Sequence, residues 1–259
     1  MVRGLYTAYT GMVNQQKRLD TITNNLANAS TTAYKREGAT ARAFDEFLAI
    51  KIQDRTTGYI NENIGAMSLG VKIGENYTDY SQGAFKQTEN TYDLALEGNG
   101  FFAISFTNKR GEMSTKYTRD GEFTIDAEGA LRTKDGDYVL NDAGGQIFVP
   151  TEATQVVVTA VGEIYADQEY IDTIQIVDFE DYDYLKKYGE NMYETVDGAV
   201  MTDSSAVIHQ GYLEASNINA VTEMVEMITI TRAYESNQKA LQAADDMLSK
   251  AVNEVGKLG

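Results

Sequence analysis

Apolar side chains recur every seven residues near the N-terminus of the chain. Two interleaved series have this spacing and fall on one side of a helix: Leu5, Met12, Leu19 and Leu26, with Ala8, Ile22 and Ala29 three residues further on. Gln15 is a polar break in the second series. A stripe of this kind, kept over more than three heptads, predicts a helix that packs lengthwise against another helix.

The same spacing returns between Ala220 and the C-terminus. The two series here are Met227, Tyr234, Leu241, Leu248 and Val255, with Ile230, Asn237, Ala244 and Ala251 between them. The pattern predicts a second long helix that begins at about Ala220. Asn237 lies among apolar residues, and a single amide in such a seam is a device that sets the register of paired helices.

Each predicted helix has a second group of apolar residues outside the heptad stripe. In the first helix this group is Tyr6, Tyr9 and Val13, and in the second it is Val221, Met224, Val225 and Ile228. A helix that is apolar over so wide an arc has more than one neighbour to pack against.

The middle of the chain has a different pattern of polar and apolar residues. From Gly83 to Val149, short alternating runs are separated by turn sequences such as EGNG, RDGE, KDGD and DAGG, which predict antiparallel hairpins. Residues 36–82 have a weaker pattern and are predicted to be an extended connector. We therefore predict an α+β fold in which long N- and C-terminal helices pair as a coiled-coil-like unit and flank an inserted, mostly antiparallel all-β central domain. The sequence leaves open whether the helices pair with each other or with copies in neighbouring subunits. The predicted domains are residues 1–35 with 215–259, the connector 36–82, and a β-rich outer domain 83–214.

Composition narrows the class of protein. The 259 residues are 42% hydrophobic and 24% charged, and no run approaches the roughly 18 apolar residues that a membrane span needs. The first residues lack the apolar run and cleavage site of a Sec signal peptide. The net charge is −17, and residues 61–210 carry 27 acidic against 10 basic side chains. Such an acidic surface disfavours nucleic acid and anionic lipid as partners, and membrane insertion is not expected.

Reactive groups are scarce. Cysteine is absent and His209 is the single histidine, so a catalytic triad or a two-histidine zinc site cannot be built. The acidic group Asp178, Glu180, Asp181 and Asp183 lacks the glycine and the spaced glutamate of a calcium loop, and solvated turn acids are the better interpretation. We predict no catalytic residue, no metal, no cofactor and no small-molecule substrate, which leaves an assembly protein.

Three separated motifs resemble one protein family. The segment GLYTAYTGMVNQQKRLDTITNNLANASTTAYKRE resembles the N-terminus of bacterial flagellar rod and hook proteins, with the core Asn24, Asn25, Leu26, Ala27 and Asn28. An aromatic residue and a lysine follow as Tyr34 and Lys35, and Ala33 replaces the glycine that usually precedes them.

The central and C-terminal motifs extend this resemblance. DLALEGNGFFAI and YTRDGEFTIDAEGALRTKDGDYVL look like the β signature of the family, carried by Gly98, Gly100, Phe101, Phe102, Arg119, Gly121 and Phe123. The segment from Gly211 to Ala251 looks like its C-terminal helix. Length and motif order resemble the proximal and distal rod proteins more than the hook.

The resemblance implies a structural subunit of the flagellar basal-body rod, the axial drive shaft in the cell envelope. Such subunits place paired terminal helices in the inner layer of a tube and transmit torque. The implied partners are copies of the chain, other rod and hook proteins, and the type III export apparatus, which exports the chain without a cleavable signal peptide. The predicted assembly interface is Leu5, Met12, Leu19, Ile22, Asn24, Asn25, Leu26, Asn28, Met227, Ile230, Tyr234, Asn237, Leu241, Leu248 and Val255.

Two points stay open at this level. The amides of Asn24, Asn25 and Asn28 are expected either to end the first helix or to form hydrogen bonds across a subunit junction. The alternative functions are a secreted non-flagellar surface filament and a cell-wall hydrolase that depends on Asp178, Glu180 or Asp181.

Overall fold

The computed structural model describes residues 2–45, 47–51, 62–68, 70–108, 110–189 and 191–255. The chain divides into two compact units, which we call the helical unit (residues 1–27, 37–79 and 219–259) and the β unit (residues 28–36 and 80–218). An N-terminal helix, a central antiparallel β region and a C-terminal helix are present, so the predicted α+β class is confirmed.

Two long helices form much of the helical unit. Helix α1 is Val2–Ala27, and helix α2 is Ala220–Lys250, continued by a π-helical segment Ala251–Val255. Helix α2 starts at the predicted residue because the side chain of Asn219 accepts hydrogen bonds from the backbone N–H groups of Val221 and Thr222. The two helices run antiparallel, since Gly11 lies against Asn237 and Arg18 forms a 3.1 Å ion pair with Glu226.

Four strands complete the helical unit where the sequence predicted an extended connector. Strand β1 (Glu37–Ala43) pairs antiparallel with β4 (Val71–Thr78), and β2 (Phe47–Lys51) pairs antiparallel with β3 (Glu62–Met67). The connector prediction for residues 36–82 is therefore corrected to two strand pairs. Strand β1 has the sequence EGATARA, whose apolar positions are only glycine and alanine, so its alternation is a weak signal for a strand. Its pairing depends on a strand that lies between 28 residues (Ala43 with Val71) and 41 residues (Glu37 with Thr78) further along the chain, which local pattern does not reveal.

The β unit contains short strands throughout. They are β5 Phe85–Gln87, β6 Leu94–Glu97, β7 Phe101–Thr107, β8 Met113–Thr118, β9 Phe123–Ile125, β10 Leu131–Thr133, β11 Tyr138–Val139, β12 Val156–Val158, β13 Glu163–Ala166, β14 Glu169–Thr173, β15 Ile176–Phe179, β16 Leu185–Tyr188, β17 Met192–Thr195, β18 Met201–Asp203, β19 Val207–Gln210 and β20 Tyr212–Glu214, with a 3₁₀ turn at Tyr182–Tyr184.

The largest sheet that the described residues form has the order β16-β17-β8-β7-β11-β10-β9, with β15 beside β7 and β18 beside β15. Strands β12, β13 and β14 form a second sheet. Strand β19 pairs with β6, and β20 pairs with β5, in separate two-stranded sheets. The strand pairings among the described residues are antiparallel, which agrees with the predicted, mostly antiparallel β domain.

One predicted turn has a different role. Asp120 and Gly121 lie between β8 and β9, but these strands pair with other partners and form no hairpin. A Cβ on Gly121 would collide with the carbonyl of Leu94, whose N–H donates a 3.0 Å hydrogen bond to the Gly121 oxygen. The glycine is there because another strand passes too close for any side chain.

Strand β7 separates two hydrophobic cores. Neighbouring side chains on a strand point to opposite faces, so Phe101 and Phe102 enter different cores. Phe102 packs edge-on against Phe123 at 5.1 Å in an aliphatic core. Phe101 packs against Phe179 and Tyr193 in an aromatic core. Gly98 and Gly100, both with positive φ, make the turn that leads into this strand.

Candidate functional site

The seam between α1 and α2 takes up most of the predicted interface residues. Ile22 and Ile230 are buried there. Half-buried positions follow the heptad spacing along both helices: Leu5, Met12, Leu19 and Leu26 on α1, and Met227, Tyr234, Asn237, Leu241 and Leu248 on α2. The side chain of Val255 lies outside the described residues. These side chains therefore contribute to packing within the subunit.

Asn237 lies in the seam opposite a glycine. A Cβ on Gly11 would be 3.1 Å from Asn237 Nδ2, so the missing side chain leaves room for the amide. The register role of Asn237 in the pairing of the two helices stays a prediction.

The outward face of α2 is apolar over its first two turns. Val221, Met224, Val225 and Ile228 are between 49% and 71% exposed, although each is a large aliphatic residue. On α1, Tyr6 and Tyr9 are also more than half exposed. Large apolar residues gathered on one exposed face, rather than scattered singly, mark an interaction surface.

Asn25 is fully buried in the helical unit. Its Oδ1 accepts a 3.0 Å hydrogen bond from the N–H of Glu37, and its Nδ2 donates a 2.8 Å bond to the carbonyl of the same residue. Nδ2 also lies 3.3 Å from Glu223 Oε2, a buried carboxylate on α2. The amide thus fastens α1 to the start of β1 within one subunit. The hydrogen bonds that the structure shows for Asn25 lie within one subunit, and its role at a subunit junction stays a prediction.

Asn24 and Asn28 have different surroundings. Asn24 is exposed on α1, and Asn28 accepts a 3.1 Å hydrogen bond from the hydroxyl of Thr31 in the turn after the helix. The role of Asn24 at a subunit interface remains a proposal.

A second polar cluster is buried in the β unit. Lys35 Nζ lies 2.6 Å from Glu214 Oε1, and Arg119 Nη1 lies 3.6 Å from Glu214 Oε2, with all three residues at least 96% buried. The N–H of Gly83 donates a 2.8 Å hydrogen bond to Glu214 Oε1. Arg119 Nη2 donates a 2.6 Å bond to the carbonyl of Gly98. The cluster joins the N-terminal motif, the central β motif and the C-terminal motif.

The chain around Lys35 is held by several further contacts. The N–H of Ala33 donates a 2.8 Å hydrogen bond to the carbonyl of Glu214, and the Asn217 side chain accepts one from the N–H of Arg36. Ala33 has φ of 56°, a left-handed conformation that favours glycine. The backbone at position 33 adopts this conformation although alanine, unlike glycine, is strained in it.

The acidic residues around Asp178 stabilise a turn. Asp178 Oδ1 accepts hydrogen bonds from the N–H of Phe179 and the hydroxyl of Tyr182, and Asp181 caps the 3₁₀ turn by accepting from the N–H of Asp183. Burial, reinforced by the bond to Asp178, raises the pKa of Tyr182 above its ordinary value. The carboxylates thus have the turn role that the sequence favoured.

The single histidine, His209, forms a pair with a glutamate. Nε2 of His209 on β19 lies 2.6 Å from Glu97 Oε2 on the neighbouring strand β6. Within the described ranges, no group of three or more histidine, aspartate or glutamate side chains is arranged to hold a metal ion. Of the helices that are described, none is long and apolar enough to cross a membrane.

Sequence comparisons match the same three regions. Residues 5–35 match the model of the flagella basal body rod protein, residues 95–166 that of the flagellar hook protein FlgE/F/G D1 domain, and residues 209–254 that of the flagellar basal body rod FlgEFG protein C-terminal region. Together, the fold and these matches define a structural protein in which an N-terminal and a C-terminal helix belong to one helical unit and a β unit is inserted between them in the sequence.

Full-length relatives identify the family. The chain is 34% identical to the flagellar basal-body rod protein FlgF of Caulobacter vibrioides over the whole of both proteins. It is 33% identical to FlgG of Bacillus subtilis over 98% of this chain and 99% of the relative, and 35% identical to FlgG of Agrobacterium fabrum over 96% and 97%. The chain belongs to the flagellar basal-body rod protein family, which is a family of structural proteins and not of enzymes. The resemblance noted in the sequence is confirmed.

Proposed function

We propose that this chain is a subunit of the bacterial flagellar basal-body rod that polymerises through its terminal helices and transmits torque towards the hook. The observation that carries the proposal is the apolar outward face of α2, where four large aliphatic residues are about half exposed or more. Full burial of such a side chain contributes about 1.5–3 kcal/mol, so covering these four contributes roughly 1 kcal/mol each. Repeated for every neighbour, contacts of this size support a stiff polymer.

The helical unit is the assembly domain in this proposal, and the β unit forms the outer part of the rod. The seam positions support a coiled-coil-like pairing of α1 and α2, because burial follows the heptad spacing and Asn237 is accommodated opposite Gly11. The partners are copies of this chain and other rod and hook proteins. The type III export apparatus delivers the subunit to the flagellum, without cleavage of a signal peptide.

Torque passes through the subunit by ordinary packing. Asn25 ties α1 to β1 and α2 in the helical unit, and the cluster of Lys35, Arg119 and Glu214 ties distant segments together in the β unit. In this proposal, neither cluster carries out a chemical reaction. Both make their unit stiffer, which a rotating shaft requires.

The experiment is to delete the gene and restore it with the full chain. We expect the deletion strain not to swim, and purified basal bodies of the restored strain to bind a gold-labelled antibody to this chain along the rod. A chain carrying Met113→Ser is the matched control, since Met113 belongs to the β unit and is 72% exposed. It should restore swimming fully.

Two results would contradict the proposal. Label on a surface filament outside the basal body, with normal swimming in the deletion strain, would favour a non-flagellar filament. Loss of glycan hydrolysis in a chain with Asp178, Glu180 and Asp181 replaced by their amides would favour a hydrolase. We expect that triple variant to swim normally.

A further inference from the structure

The outward face of α2 has the spacing of a helix that binds in a groove. Val221, Met224, Val225 and Ile228 stand at positions i, i+3, i+4 and i+7, and we call them the α2 patch. The seam residues Met227 and Ile230 lie on the other side of the same helix. Val221, Met224 and Ile228 are about half exposed or more, whereas Val225 at the edge of the patch borders a groove that Gln15 and Arg18 of α1 also line. An amphipathic helix binds a hydrophobic groove through apolar side chains at this spacing.

A groove that fits this description lies on the helical unit. It has a volume of about 200 Å³ and runs between α1 and the β1–β4 pair. We call it the α1 groove, and its apolar walls are Tyr9, Val13, Phe44, Val71 and Ile73. Thr10 and Asn14 are more than nine-tenths buried in its floor. Tyr9 is 51% exposed at the rim, so the groove opens to solvent.

Charge also matches between the two surfaces. Lys17 and Lys72 line the α1 groove, and neither forms an ion pair with a described carboxylate. Glu235, one heptad beyond Ile228 on the outward face of α2, is likewise exposed and unpaired among the described residues. With the α2 patch seated in the α1 groove of another copy, this carboxylate meets a basic rim. Complementary charge fixes the direction in which a helix lies in a groove.

The two surfaces are different, which decides the kind of assembly. A contact between unlike surfaces leaves one α2 patch and one α1 groove free at the ends of every chain of subunits. Such a contact adds subunits without limit unless the rotation closes a ring. The α2 patch has four residues, whereas a stable interface uses about 20–30 residues on each side. One contact is therefore weak, and the array of contacts holds the polymer.

We propose that the α2 patch of one subunit binds in the α1 groove of a second copy of this chain. The inference rests on the proposed function, because it names the surfaces through which the rod subunit polymerises. It goes further in pairing two particular surfaces and in assigning each a partner.

Cysteine cross-linking in assembled basal bodies tests this pairing. The natural chain has no cysteine, so every disulfide would arise from the introduced pair. Full-length chains would carry Met224→Cys or Ile228→Cys together with Val13→Cys or Ile73→Cys, in cells that lack the natural gene. A disulfide forms only where the two Cα atoms come within about 4.4–6.8 Å, which makes the test specific.

We expect at least one of the four pairs to give a ladder of covalently linked subunits on oxidation. The control chain, with Met113→Cys and Val13→Cys, should give none. If basal bodies contain the chain and none of the four pairs links more than the control, the pairing is wrong although the rod function stands. If the antibody finds no chain in basal bodies, the proposed function itself fails.

Charge substitution gives an independent test with the full chain. Ile228→Glu and Val13→Lys, each alone, should reduce the number of complete rods per cell at least tenfold, whereas the control Met113→Glu should not. The two changes together place Glu and Lys opposite each other and should recover at least half of the rods. The pairing would be overturned if both single variants formed a normal number of complete rods, or if the double variant formed no more rods than either single variant.

Discussion

Replacing Glu214 by glutamine should destabilise the protein more than replacing Lys35 by methionine. Glu214 faces two cations, at 2.6 Å from Lys35 Nζ and 3.6 Å from Arg119 Nη1, in a part of the β unit that water does not reach. Glu214→Gln keeps the shape of the side chain but leaves two buried cations beside a neutral amide. Lys35→Met keeps the apolar stem and leaves Glu214 with Arg119 and with the N–H of Gly83.

The difference can be estimated from these contacts. Breaking a buried ion pair by removing one partner costs about 3–5 kcal/mol, which is the expected loss for Glu214→Gln. Loss of a charge-assisted hydrogen bond costs about 1.5–3 kcal/mol, which is the expected loss for Lys35→Met. Domains have free energies of unfolding of about 5–15 kcal/mol, so the glutamine variant would lose a large fraction of its stability.

Urea unfolding of the full chain measures both losses. Near-ultraviolet circular dichroism follows the tyrosines of the aromatic core, such as Tyr193, and hydrogen exchange of β20 reports the region around Glu214. Lys186→Met is the matched control, since Lys186 is exposed, and it should change the free energy of unfolding by less than about 0.5 kcal/mol. If Lys35→Met costs as much as Glu214→Gln or more, Glu214 is not the shared counter-charge. Two variants as stable as the control would refute the whole estimate.

Two further predictions concern the N-terminal motif. Asn25→Ala should lower the free energy of unfolding of the helical unit by about 1–3 kcal/mol, because it removes the two hydrogen bonds between the buried amide and the backbone of Glu37. Exchange of the α1 amides would show the loss, and a change below about 0.5 kcal/mol would contradict it. Ala33→Gly should change the stability of the β unit by less than about 1 kcal/mol, because relief of the strain at φ 56° is opposed by loss of a buried methyl group and by the greater freedom of glycine in the unfolded chain. A loss of more than about 2 kcal/mol in urea unfolding would argue against it.

The terminal helices could be predicted from the sequence because their signal is local. Side chains seven residues apart lie on one side of any helix, whatever the rest of the chain does. The heptad series therefore predicted α1, α2 and their seam, and the extra apolar residues predicted the outward face that remains exposed on α2. The start of α2 was predicted at Ala220, the residue that follows the Asn219 cap.

The β unit was predictable in class but not in connection. Turn glycines and alternation predicted short antiparallel strands, which are present. The same local signal predicted a hairpin at Asp120-Gly121, where the structure has none. Glycine is required at position 121 because the carbonyl of Leu94, which is distant in the sequence, lies too close for a side chain. Strands β1 and β4 were missed for the same reason, since their partners lie far apart in the chain.

The amino-acid sequence by itself determined the two helices, the strand-rich middle, the acidic charge and the membership of the flagellar rod family. Only the tertiary structure decided what the motif residues do. Asn25 is a clamp on the backbone of Glu37, and Lys35 is half of an ion pair with a residue 179 positions away. The physical reason is that periodicity reports which face of an element is apolar, whereas a buried polar group is specified by a partner that folding brings to it.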